Sequence, residues 1–136
     1  MIKRLKEPVE ILMLLDSNDP CEDILPMRKM EWIQWLVKVC TNDDYFILAN
    51  FNDYEMIDGY FVLKNNFYPP LSTSANVLYT WHDELDIKIV SEMVELTKDW
   101  AKEKGLDSLR SSCERVDELK KYGFHPTGKI IMEMIL

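Results

Sequence analysis

Apolar residues recur at helical spacing between Ile87 and Ala101, with charged residues on the opposite side of the same segment. This spacing places the apolar set on one face of a helix, and Gly105 supplies the left-handed residue that ends such a helix. The apolar set is Ile87, Val90, Met93, Val94, Thr97, Trp100 and Ala101. The pattern predicts a long amphipathic helix with one buried face.

Three runs of strand-forming residues precede this helix, at 45–51, 56–63 and 76–81. A polar break at 52–55 separates the first two runs and predicts a hairpin. Residues 64–74 are rich in Asn, Pro, Ser and Thr, which predicts a long connection or an irregular strand end.

The first part of the chain predicts a strand at 1–6 and a helix at 9–15, with Pro8 in its first turn. A second helix is predicted at 26–40, and Trp32 and Trp35 make it apolar over more than one face. Two interpretations of that helix stay open. It is either deeply packed, or it binds a partner or covers a ligand.

After Gly105 the pattern predicts a strand at 106–113, a helix at 114–122 that ends at Gly123, and an apolar strand at 129–136. Together these elements predict one α+β domain over 1–136, with a mostly antiparallel sheet flanked by helices.

Composition narrows the functional class. The chain of 136 residues is 47% hydrophobic and carries a net charge of −8, which indicates a soluble globular protein and disfavours nucleic acid as a partner. Its longest apolar runs are too short to span a membrane, and the apolar run at 11–15 is too short for a signal peptide. Three widely spaced cysteines indicate a reducing, cytoplasmic setting.

Two local motifs add to this order of elements. Residues 100–106 read WAKEKGL and residues 119–124 read LKKYGF. They are similar to the A-x-x-x-G and Y-x-K-x-G-F patterns of the GNAT superfamily of acyl-CoA N-acyltransferases, and the order of elements resembles that fold over almost the whole chain. The resemblance implies acetyl-CoA or another acyl-CoA as cofactor, and an unidentified amine as acceptor.

The resemblance also implies a place for the cofactor. The strand at 76–81 corresponds to the family strand that pairs with the pantetheine arm, so backbone groups near Tyr79 and Thr80 would hold the acyl carbonyl. Lys88 and Ile89, at the start of the long helix, would lie beside the diphosphate of the cofactor.

Two positions depart from the family pattern. Where the family has a glycine-rich phosphate loop, residues 82–91 contain no glycine, no arginine and three carboxylates. Leu119 stands where the family often has a tyrosine that protonates the leaving thiolate. Tyr122 lies three residues later and is expected to point away from Leu119.

Other groups of residues carry weaker hypotheses. The run His82-Asp83-Glu84 would allow Glu84 to act as a general base, or it is a solvated acidic turn that begins the helix favourably. Nothing in the sequence fixes Cys113 near His125. No metal-binding motif is present.

Two functions therefore stay open. The first is an acyl-CoA-dependent N-acyltransferase with a degenerate phosphate loop and weak or lost activity. The second is a noncatalytic subunit of the same fold, such as a phage-encoded or accessory protein, with the helix bearing Trp32 and Trp35 as the contact surface for a protein partner or a second copy.

Overall fold

A computed structural model of the protein describes residues 1–70, 72–112, 116–129 and 132–135. Its strands are β1 (Ile2–Arg4), β2 (Tyr45–Phe51), β3 (Ile57–Tyr68), β4 (Ser72–His82) and β5 (Ser108–Ser111). Its helices are α1 (Pro8–Ile11), α2 (Cys21–Ile24), α3 (Lys29–Val39), α4 (Ile87–Glu103) and α5 (Val116–Lys120), and a 3₁₀ turn (Leu12–Asp16) follows α1.

The five strands form one sheet in chain order. Neighbours from β1 to β4 are antiparallel, and β4 and β5 are parallel because α4 carries the chain back between them. The predicted fold class, α+β with a mostly antiparallel sheet flanked by helices, is confirmed.

Helices cover both faces of the sheet. One buried cluster lies between the sheet and the elements from α1 to α3, and it includes Leu14, Ile33, Leu36 and Ile47. The other lies under α4. Both faces of β2 are therefore buried, which explains why its sequence is a continuous apolar run and not an alternating one.

The long helix is confirmed, since α4 buries Val90, Met93, Val94, Thr97, Trp100 and Ala101 on one face. Ile87 at its first position is 58% exposed and does not share that face. Gly105 follows with a φ of 73°, the left-handed conformation that the sequence predicts there.

The predicted connection at 64–74 is wrong over most of its length. β3 continues to Tyr68 and β4 begins at Ser72, with Asn65 opposite Ala75 and Asn66 opposite Ser74. Cross-strand pairing satisfies the backbone here, so strand structure prevails over the low strand propensity of asparagine and serine.

The boundaries of the other helices also differ from the prediction. The helix at 9–15 is divided into α1 and the 3₁₀ turn, and the helix at 26–40 begins only at Lys29. Part of the predicted helix at 114–122 lies outside the described residues, as does Cys113.

The predicted strand at 129–136 is not found in its described part. Lys129 and residues 132–135 are in no strand, and Met132, Met134 and Ile135 are 91%, 83% and 89% exposed. The remaining positions, 130, 131 and 136, lie outside the described residues. None of the described helices is both long and apolar enough to cross a membrane.

The helix α3 is deeply packed at Trp32, which is 5% exposed and stacks on half-buried Trp35 with ring centroids 5.4 Å apart. The Trp35 ring also meets the Tyr45 ring edge-on. Only Trp35 is therefore partly accessible to a partner that binds this helix, because Trp32 lies in the core. The partner surface therefore stays a prediction.

Candidate functional site

One edge of β4 is only partly paired. β5 pairs with it from Ser74 to Val77, whereas β4 continues to His82. The described part of β5 thus offers no partner to the last five residues of β4. No described residue pairs with the backbone groups that face this side between Leu78 and His82, so that edge can accept another extended chain.

A β-bulge marks the point where the two strands part. Leu63 on β3 lies opposite Val77, but Val62, the residue before it in the chain, lies opposite Tyr79. Leu78 is therefore the extra residue on β4. A bulge bends the strand that contains it, and this one falls directly after the last residue of β4 that pairs with β5.

A cavity of about 850 Å³ follows this open edge. Residues 77–82 of β4 form part of its wall. Beyond β4, its lining includes Val94, Thr97, Leu109, Ser111, Leu119 and Tyr122, which follow β4 in the chain, and Pro20, Asp23, Ile24 and Leu25 at α2. The cavity therefore lies where α2, α4, β5 and α5 meet the free edge of β4.

The lining of this cavity is largely apolar and carries negative charge. Asp23 and Glu118 are its carboxylates, and neither lysine nor arginine is among the described residues that line it. His82 is its one further titratable side chain besides the tyrosines. A cation or an uncharged chain suits these walls better than an anion.

The loop between β4 and α4 begins α4 with an acidic cap. Asp86 is the N-cap, and its carboxylate accepts a hydrogen bond from the backbone N–H of Lys88 at 2.8 Å. The backbone oxygen of Asp86 accepts from the N–H groups of Ile89 and Val90 at 3.0 and 3.2 Å. The interpretation of this segment as an acidic turn that begins the helix is confirmed.

Gly59 on β3 holds the same loop close to the sheet. A methyl group at this position would lie 2.7 Å from Leu85 Cδ1 and 2.9 Å from His82 Cβ. The backbone N–H of Asp83 also donates to the backbone oxygen of Asp58 at 2.8 Å. The glycine is required here because no side chain fits between β3 and the loop.

Solved structures resemble this architecture over nearly the whole chain. Aminoglycoside 6'-N-acetyltransferase AAC(6')-Ih from Acinetobacter baumannii is 14% identical, with a TM-score of 0.74 over 100% of this chain and 97% of that one. AAC(6')-Iy, solved with a bisubstrate analogue of CoA, is 8% identical, with a TM-score of 0.76 over 100% and 97% of the two chains. The chain has the GNAT fold.

Glucosamine-6-phosphate N-acetyltransferase from Arabidopsis thaliana is similar as well, with 14% identity and a TM-score of 0.69 over 98% of this chain and 97% of that one. No protein-family model matches the sequence, and no curated protein matches it at a significant level. At such low identities the similarity shows the GNAT fold alone.

The predicted cofactor residues fall into two groups on this GNAT fold. Tyr79 and Thr80 lie on the free part of β4 and line the cavity, whereas Lys88 and Ile89 do not line it. Glu84, the candidate general base, is exposed, has a φ of 49° and is also absent from the lining. The structure therefore brings two of these five residues to the cavity.

Tyr122 lies on the same cavity wall as Leu119, so the expectation that it points away is wrong. Helical residues three apart share a face, and the turn after α5 keeps them together, because the N–H of Tyr122 donates to the oxygen of Leu119 at 3.0 Å. Burial, followed by the charge of Glu118, raises the pKa of Tyr122.

Behind the cavity lies a buried polar network that the sequence did not indicate. The Trp32 indole N–H donates to the Tyr60 hydroxyl at 2.9 Å, and Tyr60 donates to the Asp19 carboxylate. Burial is the largest cause of the raised pKa values of Tyr60 and Tyr79. Asp19 stands in a segment that reads only as a turn, so no local signal distinguishes it.

The described residues contain no group of three or more His, Cys, Asp and Glu side chains arranged to hold a metal ion.

Proposed function

We propose that the protein is an N-acyltransferase that takes its acyl group from a thioester bound along the free edge of β4. One observation carries this proposal. In a GNAT fold, the edge of β4 from Leu78 to His82 has no partner strand among the described residues and lines a cavity of about 850 Å³.

The free edge suits the pantetheine arm of an acyl-CoA. Pantetheine is an extended, uncharged chain with two amides, and such a chain can hydrogen-bond to a strand edge as an added strand does. The backbone groups between Leu78 and Thr80 would hold it, as expected for Tyr79 and Thr80. The thioester supplies the acyl group for transfer to an amine.

The residues present do not fit the diphosphate of CoA. Asp86 already occupies the first turn of α4 with its own carboxylate, and exposed Asp83 and Glu84 precede it. Lys88 is the one cation in residues 82–91. Like charges so close together repel one another, which supports the hypothesis of a degenerate phosphate loop.

Tyr122 is the proposed proton donor to the leaving thiolate. It lines the cavity, and burial followed by the charge of Glu118 raises its pKa further above neutral pH. A protonated donor that reaches the leaving group assists the departure of that group. Leu119 cannot perform this task because its side chain has no proton to transfer.

A solved structure of the same fold supports an acyl-CoA as the donor. AAC(6')-Iy was solved with CoA-S-monomethyl-acetylneamine, a bisubstrate analogue. That protein holds both substrates in one ligand, and its chain and this one superimpose over 97% and 100% of their lengths. The amine acceptor of this chain is left unassigned by the proposal.

Thiol release from acetyl-CoA, measured with a panel of primary amines, tests this function. Ser111→Trp would fill the cavity from β5, whereas Ser108→Trp makes the same change at an exposed position on that strand. We expect amine-dependent thiol release from the wild type and from Ser108→Trp, and its loss in Ser111→Trp. Equal rates in both variants would place the reaction elsewhere.

A second candidate is a noncatalytic subunit of the GNAT fold. The Asp86 cap favours it, because a carboxylate stands where an anion would have to dock. This candidate predicts no binding of acetyl-CoA even at millimolar concentration. It further predicts that Ser111→Trp binds the protein partner as tightly as the wild type does, because the cavity has no role in a noncatalytic subunit.

A further inference from the structure

We infer that recognition of the acyl donor ends at its pantetheine arm, so that the diphosphate and nucleotide of acyl-CoA stay in solvent. This inference rests on the proposed function and specifies which part of the donor the protein reads. It predicts that S-acetylpantetheine, which lacks the nucleotide, binds as well as acetyl-CoA.

The first argument is that the chain itself already pairs several of the backbone hydrogen-bond donors at the start of α4. The N–H of Lys88 donates to the Asp86 carboxylate, and the N–H groups of Ile89 and Val90 donate to the Asp86 backbone oxygen. The N–H of Leu85 meets His82 Nδ1 at 3.4 Å. A phosphate that docked here would have to displace the cap.

The second argument is charge. Asp83, Glu84 and Asp86 are all exposed in the segment that follows cavity-lining His82, with Lys88 as the single cation of residues 82–91. The described lining of the cavity adds Asp23 but no lysine or arginine. A phosphorylated ligand therefore gains no ion pair from the described lining.

The third argument is the apolar lining of the cavity. Its walls are mostly apolar, with Val90, Val94 and Leu109 on one side and Ile24 and Leu25 on the other. An uncharged chain is compatible with these walls, and its amides can pair with the free edge of β4. The site thus suits the pantetheine arm of acyl-CoA, whereas its described lining offers no favourable contact to the diphosphate.

Titration calorimetry with acetyl-CoA and with S-acetylpantetheine tests the inference on the wild-type protein. We expect dissociation constants that agree to within about threefold. Acetyl-CoA binding should also tighten or stay constant as salt is added, because salt screens repulsion. Acetyl-CoA binding more than about tenfold tighter than S-acetylpantetheine would overturn the inference while leaving the proposed function intact.

Failure of both ligands to bind would reject the proposed function together with this inference. A matched pair of variants sharpens the test. Asp86→Ser removes the charge and keeps a helix-capping hydroxyl, whereas Asp53→Ser removes a charge in the turn between β2 and β3. We expect Asp86→Ser alone to tighten acetyl-CoA binding, by no more than about threefold, without change for S-acetylpantetheine. Equal responses of the two variants would contradict a local role for Asp86.

Discussion

The carboxylate of Asp86 lies 2.8 Å from the backbone nitrogen of Lys88 and caps α4 from within the chain. The same contact stabilises the longest helix of the protein and fills the helix end at which a GNAT enzyme would accept a phosphate. In the proposed function, this one side chain therefore affects both the stability of α4 and the recognition of the acyl donor.

We expect Asp86→Ala to lower the free energy of unfolding by about 1 kcal/mol, since the cap hydrogen bond is lost. Asp86→Asn should change it little, because an asparagine oxygen caps equally well. Urea denaturation of each variant measures the difference. Asp83→Ala serves as the control at an exposed neighbour, and a loss as large as that of Asp86→Ala would argue against the cap.

Gly59→Ala should lower the free energy of unfolding by about 1–3 kcal/mol, because the added methyl group overlaps Leu85 and His82. Leu85→Ala removes one of these contacts. In a double-mutant cycle, we therefore expect Gly59→Ala to cost less when Leu85→Ala is also present. Additive effects would show that Gly59 does not act through the loop.

The buried Tyr60 predicts a loss of stability at alkaline pH. The folded pKa of Tyr60 lies above its ordinary value of 10.0, so above pH 10.0 the unfolded chain releases a proton that the folded chain keeps. Between pH 10.0 and the folded pKa, a tyrosine with a raised pKa lowers the free energy of unfolding by about 1.4 kcal/mol per pH unit. Below pH 10.0 its stabilising contribution is fully present.

Tyr60→Phe tests this linkage. It should cost about 1–3 kcal/mol at neutral pH, because the Trp32 N–H loses its acceptor and Asp19 loses a donor. Above pH 10.0 the gap to the wild type should narrow, since the variant has one ionisable tyrosine fewer. Tyr54→Phe, at a side chain 85% exposed, is the control. Parallel pH curves for Tyr60→Phe and the wild type would refute the linkage.

Tyr122→Phe should reduce kcat by about 10²-fold or more with KM little changed, if its hydroxyl protonates the leaving thiolate. The pKa of Tyr122 is raised above the ordinary tyrosine value of 10.0. Wild-type activity should therefore fall only at a pH above 10.0, where the hydroxyl loses its proton. Stopped-time assays across this range measure both effects. Activity of Tyr122→Phe equal to that of the wild type would remove Tyr122 from the mechanism.

The sequence predicted the elements that depend on local pattern. The amphipathic repeat of α4, the end of that helix at Gly105 and the strand Tyr45–Phe51 were all recognisable, because period and propensity agree there. The acidic start of α4 was equally visible, since Asp86 directly precedes the apolar repeat.

Features that depend on partners distant in the chain were not predictable. The pairing of Asn65 with Ala75 and the network of Asp19, Tyr60 and Trp32 join residues whose neighbours in sequence give no sign of it. The bulge at Leu78 likewise arises from the register between β3 and β4. A single sequence does not reveal this register, whereas the place of the strand at 76–81 beside the cofactor was implied by the family resemblance.

Binding of acetyl-CoA to the Ser111→Trp and Ser108→Trp variants, measured by titration calorimetry beside the wild type, tests the central claim most directly. The claim is that a thioester lies in the cavity along the free edge of β4. It predicts saturable binding by the wild type and by Ser108→Trp, and none by Ser111→Trp. Absence of heat from the wild type at millimolar ligand, or undiminished binding by Ser111→Trp, would contradict it.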